Sequence, residues 1–270
     1  MSQLKLKSMK SLYLLFACTI FLSSFLLFQV QPLIGKHILP WYGGSSAVWV
    51  TALFFFMVAL AVGYIYALWL VKLQYKFQIF IHLIFTSLVV GAVIFHTRIW
   101  PSGITPSKDG LLFFDLDPTL SVFATLFISI GFPFFLLSST SSLIPFWYGS
   151  ISHNDPSSLY SVSNVGSLLG LLSYPFIFEP LLSTHSQGVW WTFGLAIYIG
   201  LLISVVISVI RYGQQFQIST NSGPEAILVK ENSVTKGKFL IWLLEARVPV
   251  MVRLPGTTFM TTAVAPIPLL

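Results

Sequence analysis

The chain has 270 residues, of which 56% are hydrophobic and only 8% are charged. A soluble domain carries about 25% charged residues, so this composition excludes an ordinary water-soluble protein and indicates an integral membrane protein. The net charge of +6 does not indicate nucleic-acid binding, because the basic residues lie between apolar runs and form no aromatic-interleaved basic stripe. The single cysteine, Cys18, excludes an intramolecular disulfide framework.

An uncleaved first span is predicted near the N terminus. An apolar run follows three lysines, as in a secretory signal, but it continues past the usual length and lacks a small-residue cleavage pattern. We place the first span from Leu12 to about Val30. The segment 29–49 that follows contains two glutamines and two prolines, and its Gly43-Gly44 pair predicts a turn before the second span.

The next two apolar runs, residues 47–71 and 77–95, are predicted as the second and third spans because each is long enough to cross a bilayer. His82 lies inside the third span and is a candidate intramembrane polar residue. Residues 96–118 contain prolines, aspartates and a lysine, and their aspartates lack the spacing of a calcium loop. We therefore expect a solvated connection there.

The fourth span is predicted at about residues 119–143. Gly131 and Pro133 predict a kink within it. The hydroxyl cluster 138–142 closes this span, and its side chains could either bond to carbonyls of their own helix or line a wet cavity. A loop is expected at 145–159.

The fifth span, residues 160–179, is the stretch around which the rest is organised. Gly166 and Gly170 lie four residues apart and place small residues along one helical side, which allows two helices to approach closely in lipid. A similar strip in the second span is one candidate for the surface that they contact. It consists of Ala59, Gly63 and Ala67.

Two polar residues of the fifth span are open to two interpretations. Asn164 lies near its beginning and Glu179 at its far end. Charged and polar groups are scarce within spans, so the pair could mark the two ends of a polar path. The alternative is a well-packed helix that ends in an interfacial acid. Pro175 interrupts the helix between them.

The sixth span is predicted at about 189–210 after a brief turn at 183–188. It completes a transmembrane helical bundle in residues 1–211. Residues 212–238 are polar and predict a cytoplasmic linker. Residues 239–270 begin as a seventh apolar segment, but its charges and prolines predict a distorted and truncated tail.

The basic residues of the predicted loops are divided nine to three between the two sides of the membrane. By the positive-inside rule, the N terminus and the linker are cytoplasmic in a multi-pass protein of the cell inner or plasma membrane. The cytoplasmic group is Lys5, Lys7, Lys10, Lys72, Lys76, Arg211, Lys230, Lys236 and Lys238, and the outer group is Lys36, Arg98 and Lys108.

With this orientation the first and fifth spans both run outward. Gln29, Gln31 and Lys36 should then lie at the same face as Glu179 and form a polar mouth of the bundle. A lone charge near the hydrocarbon edge is costly, so pairing or snorkelling is expected. We expect Lys36 to lie near Glu179 without direct contact, in preference to a salt bridge or to separate exposure of the two side chains.

Several kinds of catalytic site are not encoded in recognisable form. The chain contains no GxGxxG after a strand pattern, no GxxxxGK[ST], no HExxH, no CxxC and no GxSxG. We therefore predict no cofactor, no metal and no enzymatic activity for this chain. The predicted partner is the lipid bilayer, and nucleic acid is not expected.

Several strings resemble the fused major-facilitator/spermidine-synthase proteins. They are FLSSFLLFQVQPLIGKHILPWYGGSSAVW (21–49), GYIYA (63–67), residues 134–142, LYSVSNVGSLLGLLSYPFIFEP (159–180) and TTFMTTAVAPIPLL (257–270). In that family a multi-span membrane part precedes a cytoplasmic domain resembling spermidine synthase, which transfers an aminopropyl group from decarboxylated S-adenosylmethionine. The resemblance implies the membrane part alone and transfers no catalytic residue. Residues 244–255 depart from the family pattern through Glu245, Arg247 and Arg253.

The resemblance leaves two functions from different classes. The first is a transporter-like domain, related to polyamine transport or binding, that works with a separate synthase-like domain or a second membrane half. The second is a non-transporting anchor or scaffold for such a synthase-like domain. Uptake of labelled putrescine or spermidine into vesicles separates the two.

Overall fold

The computed structural model of the chain describes residues 3–100, 103–104, 117–152 and 155–212, with side chains from residue 9 onward. Within these ranges the chain forms helices and no strand, which confirms the predicted all-helical class. The helices are α1 (Gln3–Tyr42), α2 (Ser46–Leu70), α3 (Tyr75–Ile99), α4 (Pro118–Leu126), α5 (Phe132–Ser152), α6 (Ser157–Ser173), α7 (Glu179–Leu181) and α8 (Thr184–Arg211). Two π-helical segments, Phe127–Gly131 and Tyr174–Phe178, join α4 to α5 and α6 to α7.

Six stretches have the length and composition of membrane spans, as the sequence predicts. Consecutive spans are joined by short turns or loops where the structure describes the connection. The spans are Met9–Tyr42, Ser46–Leu70, Tyr75–Ile99, Pro118–Ser152, Ser157–Leu181 and Thr184–Arg211. The predicted tail 239–270 and, except for Tyr212, the predicted linker 212–238 lie outside the described residues.

The first span is longer than predicted. Helix α1 continues through Pro32 and Pro40 to Tyr42, where Gly43 adopts a positive φ of 75° and ends it. A proline removes one backbone hydrogen bond but does not force a transmembrane helix to end, because neighbouring helices support the interrupted turn. The turn predicted at Gly43-Gly44 is present, since these residues lie between the end of α1 and the start of α2.

The fourth span also extends beyond its predicted end. Residues 145–152, which were expected to begin a loop, continue α5 as far as Ser152 with Pro145 inside the helix. Trp147 is completely buried and Tyr148 nearly so, and their burial anchors this extension against the bundle. The irregularity predicted at Gly131 and Pro133 is present as the π-helical segment Phe127–Gly131.

Helix α1 lies at the centre of the bundle and packs against α5, α6 and α8. Its side chains Phe16 and Ile20 are fully buried. Trp191 of α8 is almost completely buried and donates its indole N–H to the carbonyl of Leu26 at 3.0 Å. Ser24 of α1 and Ser163 of α6 share a hydrogen bond of 2.7 Å between their hydroxyls. Helix α1 thus connects two of the later spans.

The glycine strip of α6 packs closely against another helix, but the candidate partner helix was wrong. A Cβ built on Gly166 would lie 2.6 Å from the carbonyl oxygen of Phe21, and one on Gly170 would clash with that of Phe25. Both contacts are therefore with α1. Gly63 of α2 instead faces Ser138 of α5, whose Oγ would clash with an added Cβ. Helical periodicity identifies the close-packed face but does not determine which helix covers it.

Candidate functional site

A lysine and a glutamate meet at one end of the bundle. The Nζ of Lys36 on α1 donates to Oε1 of Glu179, the first residue of α7, at 3.1 Å. Their side chains are 35% and 48% exposed, so water competes for both charges. The two residues were expected to be close without direct contact. The structure corrects this expectation, since they form an ion pair.

The π-helical segment Tyr174–Phe178 precedes Glu179 and contains Pro175. Because proline lacks an N–H group, the regular hydrogen-bond ladder of α6 is interrupted there, and the wider π turn accommodates the interruption. Phe178 at its end packs against Phe25 of α1, with ring centroids 6.4 Å apart. This contact holds the end of the fifth span against α1, where Lys36 can reach Glu179.

A buried amide stabilises the turn that follows Glu179. Gln187 of α8 is 1% exposed, and its Nε2 donates to the carbonyls of Phe178 at 3.2 Å and Leu182 at 2.9 Å. Its Oε1 accepts from the hydroxyl of Tyr174 at 3.1 Å. The carbonyl of Phe178 also accepts from the N–H of Leu182, and Gln187 adds a side-chain donor to it and to the carbonyl of Leu182 at the end of the helix. We refer to Lys36, Glu179, Tyr174 and Gln187 as the ion-pair end.

Sequence reasoning did not identify Tyr174 or Gln187 as site residues. Both belong to mostly apolar stretches, where a lone amide or phenol has no recognisable motif. One feature of the sequence could have indicated Gln187: it lies in the first turn of the sixth span, which begins shortly after Pro180 at the end of the fifth. A long amide at such a position can reach the unpaired carbonyls of the preceding helix.

The two glutamines predicted for the mouth occupy different environments. Gln29 is 3% exposed, and its Nε2 has no hydrogen-bond partner among the described residues. It lies seven residues before Lys36, so it is on the same face of α1 but about 10 Å deeper. Gln31 is half-buried. Gln29 therefore lies inside the bundle and not at its mouth, because α1 continues to Tyr42.

Asn164 does not line an interior path to Glu179. Its side chain is exposed on α6, whereas Gly166 on the opposite side of that helix is buried against α1. The polar path proposed between Asn164 and Glu179 is therefore wrong for its Asn164 end. The exposed carboxamide instead faces away from the bundle.

A second polar cluster lies between α2, α3 and α5 at the opposite end. His82 is completely buried, and its Nδ1 lies 3.3 Å from the hydroxyl of Tyr66. Trp147 donates its indole N–H to Oε1 of Gln78 at 3.0 Å. The Nε2 of Gln78 donates to two carbonyls of the α2–α3 connection, those of Val71 at 3.3 Å and Leu73 at 2.8 Å. We refer to His82, Tyr66, Gln78 and Trp147 as the amide end.

The His82 ring is held by aromatic neighbours. It stands at 87° to the ring of Trp147 with centroids 5.6 Å apart, and its Nε2 has no hydrogen-bond partner among the described residues. An edge-on ring in this position can direct a weak N–H contact at the indole face. The predicted intramembrane position of His82 is thus an enclosed one.

The hydroxyl cluster of α5 bonds mainly to its own helix. Ser138 donates to the carbonyl of Phe135, and Ser139 and Thr140 both donate to that of Leu136, at 2.8 to 2.9 Å. Thr140 also shares a short hydrogen bond with Tyr198 of α8. Of the two alternatives, the structure therefore shows bonding to helix carbonyls for these hydroxyls.

Comparisons with family models, with curated proteins and with solved structures find no match to this chain.

Proposed function

We propose that the chain is the membrane part of a transporter-like protein and that it binds a small organic cation of the polyamine class at the ion-pair end. The ion pair between Lys36 and Glu179 is the observation that carries this proposal. The side chain of Lys36 ends in a primary alkylammonium group, as a polyamine does at each end. A carboxylate that accepts a hydrogen bond from Lys36 at 3.1 Å is therefore positioned to accept one from a polyamine instead.

The surroundings of Glu179 favour such an exchange. Its side chain is 48% exposed, so a ligand can approach it, while the turn around it is held by the buried amide of Gln187. A preorganised acceptor loses little conformational entropy when a ligand binds. Gln29 lies deeper on the face of α1 that carries Lys36, and its carboxamide offers an oxygen acceptor for the second ammonium of a longer polyamine.

The proposal also includes the orientation of the chain in the membrane. Because nine of twelve basic loop residues are on the N-terminal side, we place the N terminus in the cytoplasm and the ion-pair end at the outer face of the inner or plasma membrane. An impermeant thiol reagent tests this in a Cys18→Ser background. Intact cells should label Leu181→Cys, which is 75% exposed, and should not label Lys72→Cys. The reverse pattern would invert the orientation.

Binding and uptake of radiolabelled spermidine by the purified protein in liposomes test the function. Glu179→Gln keeps the shape of the side chain and removes its charge, so we expect spermidine binding to weaken at least about tenfold. Asp117→Asn is the matched control. Asp117 is a carboxylate at the same end and caps α4 through the amide of Thr119, and asparagine caps equally well. Equal binding by the Glu179→Gln variant and the wild type would contradict the proposal.

Lys36→Met gives an effect of the opposite sign. Removing the lysine ammonium removes the group that competes with spermidine for Glu179, so the apparent affinity should rise. A purely structural ion pair predicts that both substitutions impair binding to the same extent. Comparing the two dissociation constants at one ionic strength separates these outcomes.

The anchor function is the second candidate, and the close packing of α1 favours it. Backbone contacts at Gly166 and Gly170 and the hydroxyl bond between Ser24 and Ser163 form a tight α1–α6 pair, which suits a static support. This function predicts uptake no greater than that of empty liposomes. It also predicts that a co-expressed synthase-like domain is retained in the membrane fraction only when this chain is present.

A further inference from the structure

The side of α6 that faces away from α1 carries a regular seam. Its members are exposed and alternate at intervals of four and three residues, which is the spacing of the contact positions in a left-handed helix pair. Leu168 and Leu171 are 57% and 48% exposed, while the first two members are small. The seam consists of Ser157, Ser161, Asn164, Leu168 and Leu171.

The length of the fifth span implies that Asn164 lies within the hydrocarbon region. The fifth span, Ser157–Leu181, has 25 residues and is therefore about 36 Å long, compared with about 30 Å for the hydrocarbon core. Asn164 lies seven residues, or about 10 Å, from the start of the span. Even when the whole excess length is placed at that end, Asn164 remains about 4 Å inside the hydrocarbon.

A carboxamide at this depth requires a hydrogen-bond partner. Asn164 is exposed, and its carboxamide, one acceptor oxygen and two N–H donors, has no hydrogen-bond partner among the described residues. Lipid chains offer neither donors nor acceptors, so an amide that faces lipid loses the hydrogen bonds it makes in water. The side chain of asparagine is also too short to reach the interface in the way that lysine does.

We propose that the α6 seam binds a second copy of this chain in a parallel two-fold dimer, in which Asn164 of each copy bonds to Asn164 of the other. A carboxamide is both donor and acceptor, so it is complementary to itself, and a two-fold axis brings the same position of both copies together. The serines allow the helices to approach closely at one end, and Leu168 and Leu171 interlock at the other. A single polar residue in such a seam sets the register of the pair.

This interface is separate from the proposed cation site. Asn164 lies fifteen residues before Glu179, about 22 Å along the helix, and on the face that is opposite to α1. A failure of dimerisation therefore leaves the cation proposal untouched, and a failure of spermidine binding leaves the dimer untouched.

Disulfide formation in native membranes tests the seam. In a Cys18→Ser background, Leu168→Cys should form an intermolecular disulfide with copper phenanthroline, while Leu53→Cys, which is 57% exposed on α2, should not. Adding Asn164→Leu to Leu168→Cys should reduce the disulfide yield, and Asn164→Gln should preserve most of it. In liposomes, Förster transfer between labelled copies at increasing lipid dilution should show a dimer dissociation constant raised about five- to thirtyfold by Asn164→Leu.

Three results would overturn the proposal. The first is an equal dimer yield at positions 53 and 168, and the second is a dissociation constant that Asn164→Leu does not change. The third is an intramolecular disulfide between Leu168→Cys and a cysteine placed within residues 239–270, since the chain's own tail would then occupy the seam. Far-ultraviolet circular dichroism of each variant confirms that the helices are intact.

Discussion

The two polar ends of the bundle use different chemistry. At the amide end, Gln78, His82 and Trp147 are completely buried, and the hydrogen bonds join uncharged groups. At the ion-pair end, Lys36 and Glu179 carry opposite charges but are 35% and 48% exposed. Buried polar groups are expensive to leave unpaired, whereas an exposed ion pair contributes little because water solvates both charges.

This difference in burial suggests that the amide end stabilises the fold and that the ion-pair end is the better candidate for binding a ligand. The amide end connects α2, α3 and α5 through partners that neither water nor a ligand can replace, so it should contribute to the stability of the fold. Under the proposed function, the exposed ion-pair end exchanges its lysine for another cation at little energetic cost. A site that must open for a ligand is better placed where its closure contributes little to stability.

The largest expected loss of stability follows from disrupting the close contact between α1 and α6 at Gly166, which lies below the ion-pair end. In Gly166→Leu the new Cβ would lie 2.6 Å from the carbonyl oxygen of Phe21, so α6 must move away from α1. We expect the free energy of unfolding to fall by about 3 kcal/mol, measured by titration with SDS in mixed micelles. The movement should also separate Lys36 from Glu179 and leave the amide end in place.

Gly91→Leu on α3 is the control, because no atom lies within 4 Å of a Cβ built there. It should change the free energy of unfolding by less than about 0.5 kcal/mol. Disulfide formation between cysteines at positions 36 and 179, in a Cys18→Ser background, should be lost only with Gly166→Leu. Retention of that disulfide would show that the ion-pair end does not depend on the α1–α6 contact.

Much of this architecture follows from sequence because bilayer thickness sets the length of each apolar run. All six predicted runs are helical spans. The predicted ends of the first and fourth spans were wrong, because their helices continue through Pro32 and Pro40 and through Pro145. In water a proline usually ends or kinks a helix, but in a transmembrane bundle neighbouring helices support the interrupted turn. Proline therefore gives a weaker boundary signal in membrane spans.

The ion-pair end was predictable only in part. The alternating direction of the spans brings residues 36 and 179 to the same face, so their proximity follows from topology. Their direct contact depends on the π-helical segment after Ser173 and on the packing of Phe178 against Phe25. Neither is encoded in residue spacing. The hydrogen bonds of Gln187 have the same origin, because its partners are carbonyls that become available only in the folded turn.

A smaller loss of stability is expected from a substitution at the amide end. Gln78→Leu leaves the indole N–H of Trp147 without its acceptor and removes the donor to the carbonyls of Val71 and Leu73. We expect the free energy of unfolding to fall by about 2 kcal/mol. Spermidine binding should not change, because the proposed cation site lies at the ion-pair end.

Gln31→Leu, at a half-buried position on α1, is the matched control for stability and should have little effect on the free energy of unfolding. If Gln78→Leu were as stable as the wild type, the buried amide would not be a stabilising element. The expectation that the amide end stabilises the fold more than the ion-pair end would then be wrong.

The smallest effect on stability is expected where the charges are. Glu179→Gln removes the ion pair with Lys36, yet the exposed pair should contribute no more than about 1 kcal/mol to the free energy of unfolding. Screening shortens the range of the interaction to about 3 Å at 1 M salt, so the difference between variant and wild type should shrink as salt is raised from 0.01 M. The small loss caused by Glu179→Gln should therefore depend on salt, and the larger loss caused by Gln78→Leu should not.

A large, salt-independent loss from Glu179→Gln would mean that the ion pair is a structural element like the amide end. In that case the carboxylate would be poorly suited to exchanging its lysine for a polyamine.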